Sequence, residues 1–237
     1  DLTSDILFKS DASGTAQLAD ASGVSLTGDI MVERYIPIYT QDSRAFRFLS
    51  SAVNSIGSIF DNWQEGGNSP DGYGTHIAGS ITGANGFDTT ITGNPSMYTF
   101  DNNYTDPAFA WSAIDNTDAT NLEAGKAYRI FIRGDRNYDL DSNPADPPNT
   151  DVTLRAKGSL ALGNHPYNLN PNQNLFSLLG NPYQAIVDMN DVLVNNSTNI
   201  NQNHYWVWDP NMNQRGAYIV VPLPGGVPIG SSDANQF

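Results

Sequence analysis

The 237-residue chain carries 25 acidic residues against 11 Lys and Arg, a formal net charge of −14, and its 39% hydrophobic content is enough for a large core. That acidity argues against nucleic acid and anionic membrane surfaces as partners, since both need clustered Lys and Arg. With no cysteine, thiolate zinc sites, Fe–S clusters and Cys nucleophiles are excluded, and three histidines (His76, His165, His204) argue against a multi-His metal centre. Of the acids, 22 are Asp and only Glu33, Glu65 and Glu123 are Glu, while Asn adds 27 more. Asp and Asn favour turns and caps where Glu favours helix interiors, so strands and loops are expected over helices.

In chain order, residues 1–28 are small, polar and poor in aromatics, with one strand-like run at 6–9. They are expected to form an N-terminal strand or arm, and 29–237 a β-sandwich domain. Further strand-like runs are predicted at 30–38, 45–52, 97–100, 109–114, 127–133, 152–156, 158–162, 174–179, 204–209 and 217–221. Turn signals separate them: Asn85-Gly86, Gly93-Asn94-Pro95, Gly180-Asn181-Pro182 and Asp209-Pro210-Asn211. Short helices are predicted only at 55–62 and 188–194. This punctuation predicts an all-β fold, a β-sandwich or jelly roll of antiparallel sheets with long Asn/Asp/Gly-rich loops. No apolar run approaches the length of a bilayer span. The chain starts at Asp1 and not Met, which reads as a mature product or an excised segment.

The strongest chemical signal lies in Asp135-Arg136-Asn137-Tyr138-Asp139-Leu140-Asp141-Ser142-Asn143, where Asp or Asn recurs at every second position five times running. Calcium takes six to eight oxygen ligands. Asp135, Asn137, Asp139, Asp141 and Asn143 are therefore candidate Ca²⁺ ligands, and Ca²⁺ is the single cofactor the sequence puts forward. An EF-hand register started at Asp135 fails twice, because Leu140 stands where that loop needs Gly and Asp146 where it needs Glu. The alternatives are a structural ion in another geometry and a solvated acidic loop.

Gly74-Thr75-His76-Ile77-Ala78-Gly79-Ser80 looks like the histidine box of subtilisin-like proteases, but no matching serine box follows. Ser96 lies only 20 residues on and lacks the preceding Gly-Thr. A lone triad member does not make a protease. Arg133-Gly134-Asp135 matches an integrin-read tripeptide, and as a three-residue string at a strand end it reads as structural. In Tyr205-Trp206-Val207-Trp208 the alternation puts Trp206 and Trp208 on one strand face. Together with Trp63 and Trp111 they are the candidate carbohydrate-binding residues if exposed, and core if buried.

One set of strings resembles a known module. It comprises Val32-Glu33-Arg34-Tyr35-Ile36-Pro37, Arg44-Ala45-Phe46-Arg47-Phe48-Leu49, Asn62-Trp63-Gln64-Glu65-Gly66, Gly72-Tyr73-Gly74-Thr75-His76-Ile77, Asn85-Gly86-Phe87-Asp88, Gly93-Asn94-Pro95-Ser96, Arg133-Gly134-Asp135-Arg136, Gly180-Asn181-Pro182-Tyr183-Gln184, Val207-Trp208-Asp209-Pro210 and Arg215-Gly216-Ala217-Tyr218. In this order, over residues 28–237, they resemble an uncharacterised β-rich module of large secreted and cell-surface proteins of Bacteroidota, commonly placed before a type IX secretion sorting domain. The resemblance implies export and an extracellular or bacterial cell-surface location. It implies no defined activity.

The expectation is a non-catalytic extracellular structural or adhesive module that self-assembles with copies of itself or packs on neighbouring domains. The alternative is a carbohydrate-binding module of a secreted polysaccharide-degrading protein, with surface polysaccharide as partner. Neither nucleic acid nor membrane insertion is expected. An enzymatic reading needs a cleft with converging Asp and Glu.

Overall fold

The computed structural model describes residues 6–19, 21, 23–38, 45–141, 150–195, 200–212 and 216–226. Their strands run β1 (Ile6–Phe8), β2 (Ser10–Asp11), β3 (Gly14–Thr15), β4 (Ile30–Ile36), β5 (Ala45–Ser50), β6 (Val53–Ser55), β7 (Ala78–Ser80), β8 (Asp88–Thr89), β9 (Met97–Phe100), β10 (Trp111–Ala113), β11 (Ala127–Ile132), β12 (Val152–Leu160), β13 (His204–Asp209) and β14 (Ala217–Pro222). The α-helix α1 (Met189–Asn195) precedes β13. The fold is all-β, as the Asp/Asn-rich composition predicts.

Two four-stranded sheets dominate, the first in the order β1-β4-β12-β6 and the second β10-β9-β11-β5. Pairing is antiparallel in both except for β1, which runs parallel to β4 with Ile6 opposite Ile30. Pairs β2-β3, β7-β8 and β13-β14 stand apart. Alternation decides the faces. In β11, Tyr128, Ile130 and Ile132 are buried while Arg129 and Phe131 between them are half-buried. In β12, Val152, Leu154 and Ala156 point inward. These residues join Ile30, Val32 and Ile36 of β4, Met97 of β9, and Trp63, Ile77 and Leu122 from the loops in a single hydrophobic core drawn from both sheets.

Three expectations differ from what is observed. The predicted strands at 152–156 and 158–162 are one continuous strand. Gly158 reads as a break, but it sits mid-strand because a Cβ there would lie 2.0 Å from the Asn54 carbonyl oxygen. Residues 174–179 form no strand. Side chains replace a ladder there, with Phe176 N donating to the Tyr104 hydroxyl at 2.8 Å and Leu178 N to Asn102 Oδ1 at 2.8 Å. Residues 55–62 form turns and not a helix, held by Asp61 Oδ2, which accepts from the N–H and the hydroxyl of Ser58, both at 2.8 Å. The short strands β2, β3, β6, β7 and β8 carry too little pattern to be read.

The N-terminal segment pairs with its own chain. Beyond the β1–β4 ladder, Ser10 N donates to Glu33 Oε2 at 3.1 Å and Tyr35 N to Ser10 Oγ at 2.9 Å, which seats the β2–β3 hairpin on β4. Gln184 Nε2 donates to the Ala16 carbonyl at 2.8 Å and closes the segment onto the distant 180s loop.

Candidate functional site

The densest polar site centres on Asp88, at the start of β8. Its Oδ2 accepts from Arg136 Nη1, Gln64 Nε2 and the Ile77 N–H, each at 2.9 Å, and its Oδ1 from Arg136 Nη2 at 2.8 Å. The Arg136 pair is therefore bidentate, the strongest geometry available to two side chains. His76 Nδ1 lies 3.2 Å from Asp88 Oδ1 as a charge contact, off the angle of an aligned hydrogen bond, and its Nε2 lies 3.1 Å from the Tyr138 carbonyl. Burial pushes the Asp88 carboxyl up, but the contacts with His76 and Arg136 outweigh it and hold the group well below the ordinary carboxylate range. Arg136 also donates through Nε to the Asn68 carbonyl at 2.7 Å and through Nη1 to that of Thr75 at 3.3 Å.

Beside this cluster Glu65 pairs through both oxygens with Arg155, whose guanidinium lies 4.2 Å over the Tyr73 ring. Glu65 has φ of 54°, a conformation that costs a non-glycine residue energy and that the Arg155 pair holds in place. Gly74 has φ of 64°, and a Cβ there would meet Glu65 Cγ at 2.5 Å. Only glycine fits between the two ion pairs. The strings around Gln64, His76, Asp88 and Arg136, far apart in sequence, thus converge on one buried site.

That arrangement fixes loops and does not set up acyl transfer. Both His76 nitrogens face acceptors, Asp88 Oδ1 and the Tyr138 carbonyl, and neither meets a hydroxyl nucleophile among the described residues. Ser96, buried, has its Oγ turned to the Ala78 N–H at 2.9 Å. The protease-like string is a structural corner.

The acidic ladder divides at its first member. Asp135 is buried, its Oδ2 accepting from Gly72 N at 2.8 Å and its Oδ1 from Asn137 N at 3.0 Å. Asn137, Asp139 and Asp141 are exposed, Asn137 Nδ2 donating to Asp71 Oδ1 at 3.0 Å and Asp139 Oδ1 accepting from Asp141 N at 2.9 Å. Asn143 lies outside the described residues. Among those described, no three His, Asp or Glu side chains gather as a metal site would require. The chain leaves β11 at Ile132, so the alternation does not continue as a strand face.

The four tryptophans have different fates. Trp63 is core, edge-on to Tyr128 at 5.6 Å. Trp111 and Trp208 lie half-buried on the face of the second sheet opposite the core. Trp208 stacks on Phe48 at 5.0 Å and donates its Nε1 hydrogen to the Phe46 carbonyl at 2.8 Å, docking the β13–β14 hairpin against β5. Trp206 is 40% exposed and meets Phe176 edge-on at 5.0 Å. On the same sheet face the Arg129 guanidinium lies 4.3 Å from the Trp111 ring centroid, 4.4 Å from Tyr98 and 4.8 Å from Phe46. Sequence reading singled out the tryptophans but missed Arg129, whose signal was its outward position in the Ala127–Ile132 alternation.

A depression of about 200 Å³ opens nearby between Phe100, Lys126, His165 and Tyr167. Burial, and less so Tyr183, pushes the Tyr167 phenol up to about 12, and its hydroxyl donates to the Gly180 carbonyl. No family model matches the chain, and no curated protein or solved structure matches it significantly.

Proposed function

We propose that the chain is a non-catalytic β-sandwich module that works outside the cell as a structural or adhesive part of a bacterial surface protein, and that it associates with copies of itself through strand β1. The observation that carries this reading is the β1 edge. β1 occupies the end of the first sheet and among the described residues pairs only with β4, and its Ile6 and Leu7 are 50% and 39% exposed. Sheet edges that natural proteins leave solitary are blunted by charge, Pro or a covering loop. The opposite edge, β6, has such a cover: Ser55 N donates to the Leu122 carbonyl at 2.9 Å and Asn121 Nδ2 to that of Ser55 at 3.2 Å. An apolar edge strand that no described residue covers suits strand addition from a second copy. The resemblance of residues 28–237 to a surface-protein module agrees with this setting. Amide hydrogen exchange read against protein concentration tests the proposal: β1 amides are expected to slow as concentration rises, and exchange independent of concentration would overturn it.

A second reading, a carbohydrate-binding module of a secreted polysaccharide-degrading protein, is favoured by one observation. Trp206 and Tyr218, on the β13–β14 hairpin, keep 40% and 52% of their surfaces exposed and offer ring faces to a sugar. Retention on an immobilised glycan, lost in Trp206→Ala, is the expected result under it.

A further inference from the structure

Arg129 is set apart from the other described arginines that the structure pairs. Arg136 and Arg155 are each committed to a carboxylate, and Arg47 donates to the Pro37 carbonyl. Arg129 has no carboxylate partner among the described residues, in a chain where acids outnumber bases 25 to 11. Its guanidinium is held against Trp111, Tyr98 and Phe46, its buried Nε has no hydrogen-bond partner, and the side chain remains partly exposed. Arg129 stands directly opposite Phe48 in the β11–β5 ladder, on the same sheet face, and Phe48 packs against Tyr218 at 5.7 Å. The Tyr218 ring packs nearly perpendicular to Trp208 at 5.0 Å and to Phe48 at 5.7 Å, and the residue keeps 52% of its surface exposed. A planar cation with fixed orientation beside an open aromatic face matches a carboxylate attached to a sugar ring. The fork pairs the carboxylate bidentately, and the ring takes the sugar's apolar face.

We propose that this face of the second sheet binds the uronic-acid units of an acidic polysaccharide, with Arg129 pairing the carboxylate and Tyr218 stacking on the sugar. The proposal rests on the carbohydrate-binding reading and names its ligand class. The net charge of −14 repels a polyanion at long range, so recognition must come from this local cation.

The test is calorimetric titration of the full chain with tetragalacturonate, its methyl ester and a neutral xylotetraose. Binding of tetragalacturonate is expected to exceed that of the ester by roughly tenfold, the worth of one charge-assisted pair. Tyr218→Ala, at an exposed position, is expected to weaken it by a similar factor. Arg129→Lys keeps the charge but loses the fork and is expected to bring acid and ester together, with unchanged near-ultraviolet dichroism as the check on folding. Lys9→Gln, on the first sheet's side, is expected to change nothing. Equal affinity for acid, ester and xylotetraose would overturn the uronate proposal while leaving the carbohydrate reading in place. No binding to any of the three would overturn both. Binding to polyglutamate as tight as to tetragalacturonate would overturn the sugar assignment in favour of an acidic peptide.

Discussion

At the scale of single residues, Asp88 accepts from Gln64, Ile77 and Arg136 with His76 in charge contact beside it, and the energetic consequence follows from its burial. Removing one partner of a buried charge pair strands the other. Asp88→Asn keeps the shape, leaves Arg136 without its carboxylate, and is expected to cost about 3 kcal/mol in urea denaturation. Because the folded-state pKa of Asp88 is depressed, the stability it lends is fully present above the unfolded-state value near 3.8 and drains away as pH falls through the lower folded value. The wild type is therefore expected to lose stability below about pH 4 more steeply than Asp88→Asn. Gly74→Ala places a methyl group 2.5 Å from Glu65 Cγ, 3.2 Å from the Trp63 carbonyl oxygen and 3.2 Å from Arg136 Cδ. With φ of 64° the backbone also disfavours alanine, and a loss of about 2 kcal/mol is expected by the same measurement. At Asp135 both carboxylate oxygens accept from backbone N–H groups, which engages the first member of the ladder within the protein. Chelator is expected to leave the melting temperature unchanged, and a fall of several degrees would restore Ca²⁺ to the ladder.

At the scale of elements, what was legible in the sequence was whatever alternates over four or more residues. The runs that became β4, β5, β9, β11, β13 and β14 read correctly because one face of each is apolar or aromatic. Strands of two or three residues such as β7 and β8 have no period to read. They exist because Asp88 holds Ile77 N and because Ser96 N donates to the Ala78 carbonyl at 3.0 Å. Gly158 and the 174–179 loop misled for one shared reason: tertiary contacts with Asn54, Asn102 and Tyr104 decide their conformation, and local composition does not report such partners. The Asp88 site was illegible for the same cause, since its members lie in strings far apart in the sequence that only the fold brings together. The β13–β14 hairpin gives an element-scale prediction. Trp208 anchors it through stacking on Phe48 and its bond to the Phe46 carbonyl. Trp208→Leu is expected to speed hydrogen exchange in β13 and β14 while β11 and β12, in the core, stay protected.

At the scale of the whole molecule, charge and edge oppose one another. A net charge of −14 repels like copies at low ionic strength, while the proposed association acts at short range through the β1 edge with exposed Ile6 and Leu7. Screening shortens the repulsion to about 8 Å at physiological salt. Association is therefore expected to strengthen as salt rises. The central claim, a structural module that joins copies through β1, is tested most directly by light scattering coupled to size exclusion on wild type and Leu7→Lys over a concentration series at physiological salt. The account predicts a wild-type mass above that of one chain that grows with concentration, and a single-chain mass for Leu7→Lys. A single-chain wild-type mass at every concentration, or association that Leu7→Lys leaves untouched, would contradict it.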